Sequence, residues 1–226
     1  MKTVLSYLLA LLVSLLIFLG LPLLGWGIPD IPGFFASPAR LTYAIVIFAL
    51  QIFAIAYNPQ AGRNQEKRKS GLPQRRSDLI LIQALSFAVV LQAPFSDSRS
   101  LLVYNYGEVG RFLGFLLIIP GFILMQAAER YLGKQFSVEV TLQEGHQLIQ
   151  SRPYKILRHP RYLGMLAFFL GISLVFRSLL ATLLVALLLL VLFWRVRAEE
   201  ALMRGEFGQE WDEYCARSWR MIPFLF

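Results

Sequence analysis

Cysteine is nearly missing: Cys215 stands alone among 226 residues, so no internal disulfide framework is open to this chain. Histidine is almost as scarce, with only His146 and His159. No His-x-x-His, Glu-x-x-His or cysteine pair accompanies them, and no bound metal is expected. No glycine-rich turn leads from a strand into a helix, which argues against a dinucleotide held in the doubly wound manner. No Gly-x-Ser-x-Gly elbow presents a serine nucleophile. Charge is thin as well, at 16% of residues, and neither an internal repeat nor a low-complexity segment is present.

What fills the chain instead is apolar. Hydrophobic residues make up 57%, more than a soluble domain of this length needs, so an integral membrane protein is expected. Apolar runs fall at about residues 4–24, 41–57, 79–95, 112–128, 163–176 and 178–194. A span needs roughly 17–25 residues to cross about 30 Å of hydrocarbon, and the first four runs qualify. The last two are shorter and are split by Arg177-Ser178. They predict a helical hairpin, tilted or partly immersed, with Arg177 snorkelling out at the far interface. The opening Met1-Lys2-Thr3 and its apolar run have some features of a secretory signal. The run is long for one and no small-x-small site follows, so it is expected to stay as the first span.

The fold class expected is therefore all-α: a polytopic membrane helical bundle of four spans plus a C-terminal helical hairpin. Within the spans, Gly110, Gly114 and Gly121 suit close helix packing. Trp26, Trp194, Trp211 and Trp219 suit interfacial anchoring. Gln51, Gln83 and Gln126 are expected to hydrogen-bond between helices, with a substrate contact as the alternative.

The net charge of +8 has an ordinary cause. In an alternating topology all of the 22 basic residues except Arg40, Arg99, Arg111 and Arg177 fall on one side. That bias places both termini and both long polar segments in the cytoplasm, where they also attract anionic membrane lipids. It speaks for membrane insertion rather than for nucleic acid.

The two segments that carry chemistry, residues 129–162 and 195–226, leave the membrane on the same side at the two ends of the hairpin. Gly133, Gly145 and Pro153 break any long helix in the first. Pro160 suits a first helical turn, where its missing N–H is no loss, and this puts His159 at a helix N-terminus. On the last helix Arg195 and Glu199 share a face, and Glu200 lies about 100° round. Alone, the Arg195/Glu199 pair reads as an interfacial salt bridge of a few tenths of a kcal/mol. With His159 and Tyr162 brought beside it, the pair becomes a candidate site.

From about residue 131 onward the chain resembles the isoprenylcysteine carboxyl methyltransferases and the related phospholipid N-methyltransferases. The resemblance rests on an ordered series. It begins with Leu132-Gly133-Lys134-Gln135-Phe136, then His146-Gln147-Leu148-Ile149 and Tyr154, then Arg158-His159-Pro160-Arg161-Tyr162-Leu163-Gly164. Arg195-x-x-x-Glu199-Glu200 follows the hairpin, and Phe207-Gly208-Gln209-Glu210-Trp211, Tyr214 and Ile222-Pro223 close the series. Residues 1–128 match only as transmembrane helices, and 129–226 would form the catalytic region of cytosolic loop, hairpin and tail.

The resemblance implies S-adenosyl-L-methionine in a cytosol-facing, cofactor-binding segment. The residues implied to line its pocket are His146, Gln147, Leu148, Ile149, Tyr154, His159, Pro160, Arg161 and Tyr162. Ile149 replaces the family's usual Val, and Arg161 stands where small polar residues are common. Arg195, Glu199 and Glu200 are implied as catalytic, near the methyl acceptor. Aromatic faces suit the donor's sulfonium cation, and a helix N-terminus at His159 suits its carboxylate. The acceptor implied is a prenylated or otherwise amphiphilic lipid substrate. A carboxylate acceptor needs no base and suits bidentate Arg195; an ammonium acceptor would require Glu199 or Glu200 to take a proton. Two other readings stand beside this one. The tail from Phe207 to Cys215 also resembles NADPH-dependent sterol reductases, and a scaffold that kept the fold without the reaction is the third.

Overall fold

The structure is a computed structural model that describes residues 2–57, 76–133 and 147–222. Helix α1 (Lys2–Leu15) continues through a π-helical turn (Leu16–Gly20) into α2 (Leu21–Trp26). A short α3 (Ile31–Phe35) leads to α4 (Pro38–Tyr57), and α5 (Arg76–Ser98) follows. Then come α6 (Gly107–Arg111), α7 (Phe115–Leu132), α8 (Pro160–Val175), α9 (Leu179–Phe207) and α10 (Gln209–Ala216). The widened turn in the first span is used: Tyr43 of α4 donates its hydroxyl to the Phe18 carbonyl at 2.9 Å, pairing a group that a π-turn leaves poorly served. The protein is an all-helical, multi-pass membrane bundle.

One arm of the expected short hairpin is long enough to span: α9 runs unbroken for 29 residues, past its apolar run and through Arg195 and Glu199, as their expected shared face requires. Arg195 to Phe207 are mostly strong helix formers, so the helix outlasts its hydrophobic stretch. Five helical segments are long and apolar enough to cross a membrane: Leu5–Trp26, Pro38–Tyr57, Ser77–Ser98, Gly107–Leu132 and Leu179–Phe207. α8, with 16 residues, reaches only about 24 Å at 1.5 Å per residue.

α8 is held by backbone contact with α7. The two run antiparallel, with Gly114 against Gly171 and Gly121 against Gly164. A Cβ on Gly114 would lie 2.4 Å from the Gly171 carbonyl oxygen, and one on Gly121 2.7 Å from that of Gly164. The seven-residue spacing in each helix keeps both contacts on one seam. Gly110 does not join it; its face is covered by the Tyr106 ring of its own turn.

The opposite end of the bundle is tied by one carboxylate. Asp97, with a side chain 0% exposed, pairs with Arg40 at 3.2 Å, Arg111 at 2.6 Å and Arg177 at 2.9 Å. Three of the four basic residues assigned to the minority side thus meet at one end, as an alternating topology requires. Arg177 is not snorkelling as expected. It sits in the hairpin turn at φ 51° and turns inward, because Asp97 offers a charge partner that a lipid interface does not. Trp211, expected as an interfacial anchor, is 5% exposed and buried instead.

Candidate active site

The site forms where four pieces of chain meet: the end of α7, the first turn of α8, the stretch of α9 past its apolar run, and the tail after α10. The loop and the tail are stitched as a miniature parallel bridge, Leu157 to Trp219. Trp219 N–H donates to Ile156 at 2.8 Å, Arg158 N–H to Trp219 at 2.8 Å, and His159 N–H to Arg220 at 3.0 Å, each to a backbone carbonyl. Pro160 then opens α8 at a position that needs no donor, with His159 as its N-cap residue.

His159 does not cap with its side chain. Its ring points at α9, with Nδ1 3.5 Å from Glu199 Oε2 and Nε2 3.4 Å from Glu200 Oε1. It also stacks on Tyr162, 13° from parallel at 5.8 Å between centroids. Burial by itself would lower the histidine's pKa, but the two flanking carboxylates outweigh burial and raise it above the ordinary 6.5.

Tyr162 joins the acidic end to the basic one. Its hydroxyl donates to Glu199 Oε1 and accepts from Arg195 Nε at 2.7 Å, while Arg195 and Glu199 pair directly at 3.1 Å, one helical turn apart. Arg195 is buried, and its cation is balanced within the site.

Glu200 faces differently. Its two oxygens take Arg158 Nε at 2.9 Å and Arg220 Nε at 2.8 Å. Arg158 continues to the Cys215 carbonyl at 3.1 Å and to Ser218. Glu200 therefore holds loop and tail together behind His159.

The remaining expected residues fall around this centre. Arg161 turns to Glu129 at the end of α7, Nε to Oε1 at 2.9 Å. Tyr154 is buried and braced at both ends: its hydroxyl donates to Ala128 at 3.2 Å and its carbonyl accepts from Tyr214 at 2.6 Å. Gln147 is exposed and Leu148 and Ile149 are half-buried. They sit beside Gln150, which α10 and the tail pin through Glu210 and Arg217. His146 lies outside the described residues.

Sequence reasoning passed over Glu129, Arg220 and the pairing role of Arg158. Arg158 had a signal, since it adjoins His159 in the motif. Glu129 and Arg220 had none, because their partners lie far off in the chain.

Residues 109–210 match the family model for phospholipid methyltransferase. A probable protein-S-isoprenylcysteine O-methyltransferase from Oryza sativa subsp. indica is 28% identical over 117 residues, 50% of this chain and 61% of that protein. Protein-S-isoprenylcysteine O-methyltransferase B of Arabidopsis thaliana is 30% identical over 119 residues, 50% of this chain and 58% of its own. The chain thus matches less than two thirds of the length of these relatives. Among solved structures, the eukaryotic intramembrane Ras methyltransferase, an isoprenylcysteine carboxyl methyltransferase, superposes with a TM-score of 0.55 over 82% of this chain and 66% of that one, at 18% identity. The chain is an integral membrane protein that is similar to the isoprenylcysteine methyltransferases over about half its length and shares the fold of one of them.

Proposed function

We propose that the protein is an S-adenosyl-L-methionine-dependent methyltransferase that esterifies the carboxylate of a lipid-bearing, isoprenylcysteine-type acceptor. The observation that carries this reading is the buried Tyr162–Arg195–Glu199 cluster, set against His159 where α8 begins. It gives a fixed cation at a membrane-facing depth, which is costly to hold without a use.

The residues present fit the donor. It is a sulfonium cation with an ammonium and a carboxylate, and the site offers both signs of charge: Glu199 and Glu129 on one hand, Arg161 and Arg220 on the other, with the stacked His159 and Tyr162 rings between. When bound, the donor supplies an activated methyl group. Arg195 holds the acceptor carboxylate by its charge, and Tyr162 and Glu199 hold Arg195 at the angle this requires. An acceptor carboxylate is already ionised and needs no base, so positioning supplies the rate. Glu199 is committed to His159, Arg195 and Tyr162, which favours a carboxylate acceptor over an amine that must first shed a proton. Glu200 takes the role of fastening the tail rather than touching reactants. The basic bias puts this end of the bundle, and both termini, in the cytoplasm.

The test is made on purified protein in detergent. Binding of S-adenosylhomocysteine and transfer of labelled methyl into a base-labile ester are expected. A stable N-methyl product would redirect the reading to phospholipid amines, and failure to bind S-adenosylhomocysteine would end it.

A further inference from the structure

Asp97, at the end of the bundle opposite the candidate site, does not balance its arginines. Arg40, Arg111 and Arg177 all pair with it, and Glu108 adds a second anion at 3.0 Å from Arg111 Nε. Three cations against two carboxylates leave one positive charge in excess. Asp30 and Arg99, both exposed at the same end and bonded to Trp26 and the Gly25 carbonyl, offset each other. A charge left unbalanced this close to hydrocarbon is costly. The cluster calls for one more anion.

Arg177 is where that anion can be met. Arg40 also donates to the Phe34 and Gly33 carbonyls, and Arg111 to the Val175 carbonyl, so both are enclosed. Arg177 gives only Nε and Nη2 to Asp97, at 3.1 and 2.9 Å. Its Nη1 has no hydrogen-bond partner among the described residues. Its side chain is 21% exposed, against 10% for Arg40 and 4% for Arg111. Asp97 draws in one edge of the guanidinium, and the Nη1 end opens outward with its donors free.

The surroundings of that open end are apolar and tightly held. Tyr104 N–H donates to the Arg177 carbonyl at 2.7 Å and Leu179 N–H to that of Leu102 at 2.9 Å, so loop and hairpin turn lie side by side. Leu101, Leu102, Leu179 and Leu180 are exposed there. Ser100, Leu102 and Arg177 hold φ values of 52°, 49° and 51°. Bulky residues seldom enter this left-handed region, and folded proteins keep such strain where a site over-determines it. α8 reaches only about 24 Å of the roughly 30 Å of hydrocarbon, so the turn at its end does not clear the head-group layer.

We infer that the open end of Arg177 binds the phosphodiester of an anionic phospholipid in the leaflet opposite the candidate active site. A phosphate oxygen supplies the missing anion, and an arginine fork suits it. The four exposed leucines receive the acyl chains, which favours a lipid over free phosphate. Bound there, the lipid fastens the turn that joins α8 to α9. The inference stands apart from the methyltransferase reading and survives its failure.

The experiment uses the whole purified protein in an uncharged detergent. The probe is a phosphatidylglycerol with a photo-reactive diazirine at the top of one acyl chain, and labelled peptides are read by mass spectrometry. In the wild type, label is expected in residues 99–106 and 176–183. A diacylglycerol with the same chains and no phosphate should label them less by about tenfold or more, the worth of a hydrogen bond to a charged group. Excess inorganic phosphate should leave the label in place. Equal labelling by the two lipids overturns the inference, and displacement by inorganic phosphate makes the site one for a free ion. Arg177→Gln leaves Asp97 its other two arginines and should cut the label at both segments by about tenfold. Cooperative thermal unfolding reports whether that variant is folded, and unchanged label in the folded variant also overturns the inference. Should the variant not fold, the wild-type comparison decides alone.

Discussion

Glu200 on α9 and Arg220 in the C-terminal tail pair at 2.8 Å, and the same carboxylate holds Arg158 on the loop at 2.9 Å. One side chain therefore clasps both sides of the Leu157–Trp219 bridge. Its neighbour Glu199, about 100° round the helix, faces Tyr162 and Arg195 instead. Two adjacent acids thus take different partners: one fastens the loop to the tail, and the other lines the candidate site.

That division predicts different outcomes for the two substitutions. Glu200→Gln leaves Arg158 and Arg220 without their common anion, and breaking a buried pair from one side costs about 3–5 kcal/mol. A lowered Tm in detergent and weakened S-adenosylhomocysteine binding are expected together. Glu199→Gln uncovers the buried Arg195 cation, so Tm falls there too, but the tail should stay docked and S-adenosylhomocysteine binding be kept while kcat falls. Donor binding read beside turnover separates them; a parallel loss of both quantities in both variants would show that the division is wrong.

Tyr162→Phe removes only the oxygen that Arg195 Nε and Glu199 share. A hydrogen bond to a charged group is worth about 1.5–3 kcal/mol, so kcat/KM should fall by tenfold or more, with the stacked ring still in place. Steady-state kinetics at saturating donor checks this. An unaltered kcat/KM would mean that Arg195 keeps its angle without the phenol.

How much of this was legible in the sequence depends on reach along the chain. The all-helical membrane bundle, Pro160 at the start of α8 and the Arg195–Glu199 turn follow from local patterns that a lipid solvent enforces. The meeting of His159 with Glu199 and Glu200 followed from topology, since both ends of one hairpin must emerge together. Other features were set by tertiary partners. Arg177 looked like a snorkelling residue because Asp97 lies far away in sequence, in the polar stretch just past the third apolar run. The second hairpin arm looked too short to span because hydrophobicity stops at Trp194 while helix propensity does not. The α7–α8 seam did leave a trace: Gly114 and Gly121 share the spacing of Gly164 and Gly171, and only half of that match was used.

His159 should impose a pH limit. Its folded pKa lies above 6.5 because Glu199 and Glu200 outweigh burial. A histidine whose pKa is raised on folding stabilises fully below its unfolded pKa and loses that contribution as pH climbs through the folded value. Stability and donor binding should therefore hold at mildly acidic pH and decline on the alkaline side, a limb that His159→Asn lacks. With two histidines in the chain, ring-labelled NMR with His146→Asn as the assignment control reads the titration directly. A midpoint at or below 6.5 would contradict the ion-pair geometry.

The glycine seam offers a test of how the site is carried. A Cβ on Gly164 would stand 2.5 Å from the Gly121 carbonyl oxygen and 3.0 Å from the Met125 amide nitrogen, both backbone atoms that no rotamer change can move. Gly164→Leu must push α8 off α7, and overpacking of this kind costs about 1–3 kcal/mol. Because Tyr162 and Arg161 sit within a turn of that contact, the shift should reach the site, lowering kcat/KM as well as Tm. Gly205→Leu is the control: nothing lies within 4 Å of its Cβ, it is also helical, and it should leave both unchanged or raise stability slightly through better helix propensity. If Gly164→Leu lost stability with no change in kinetics, α8 would be free to slide without disturbing Tyr162, and the seam would serve the fold alone.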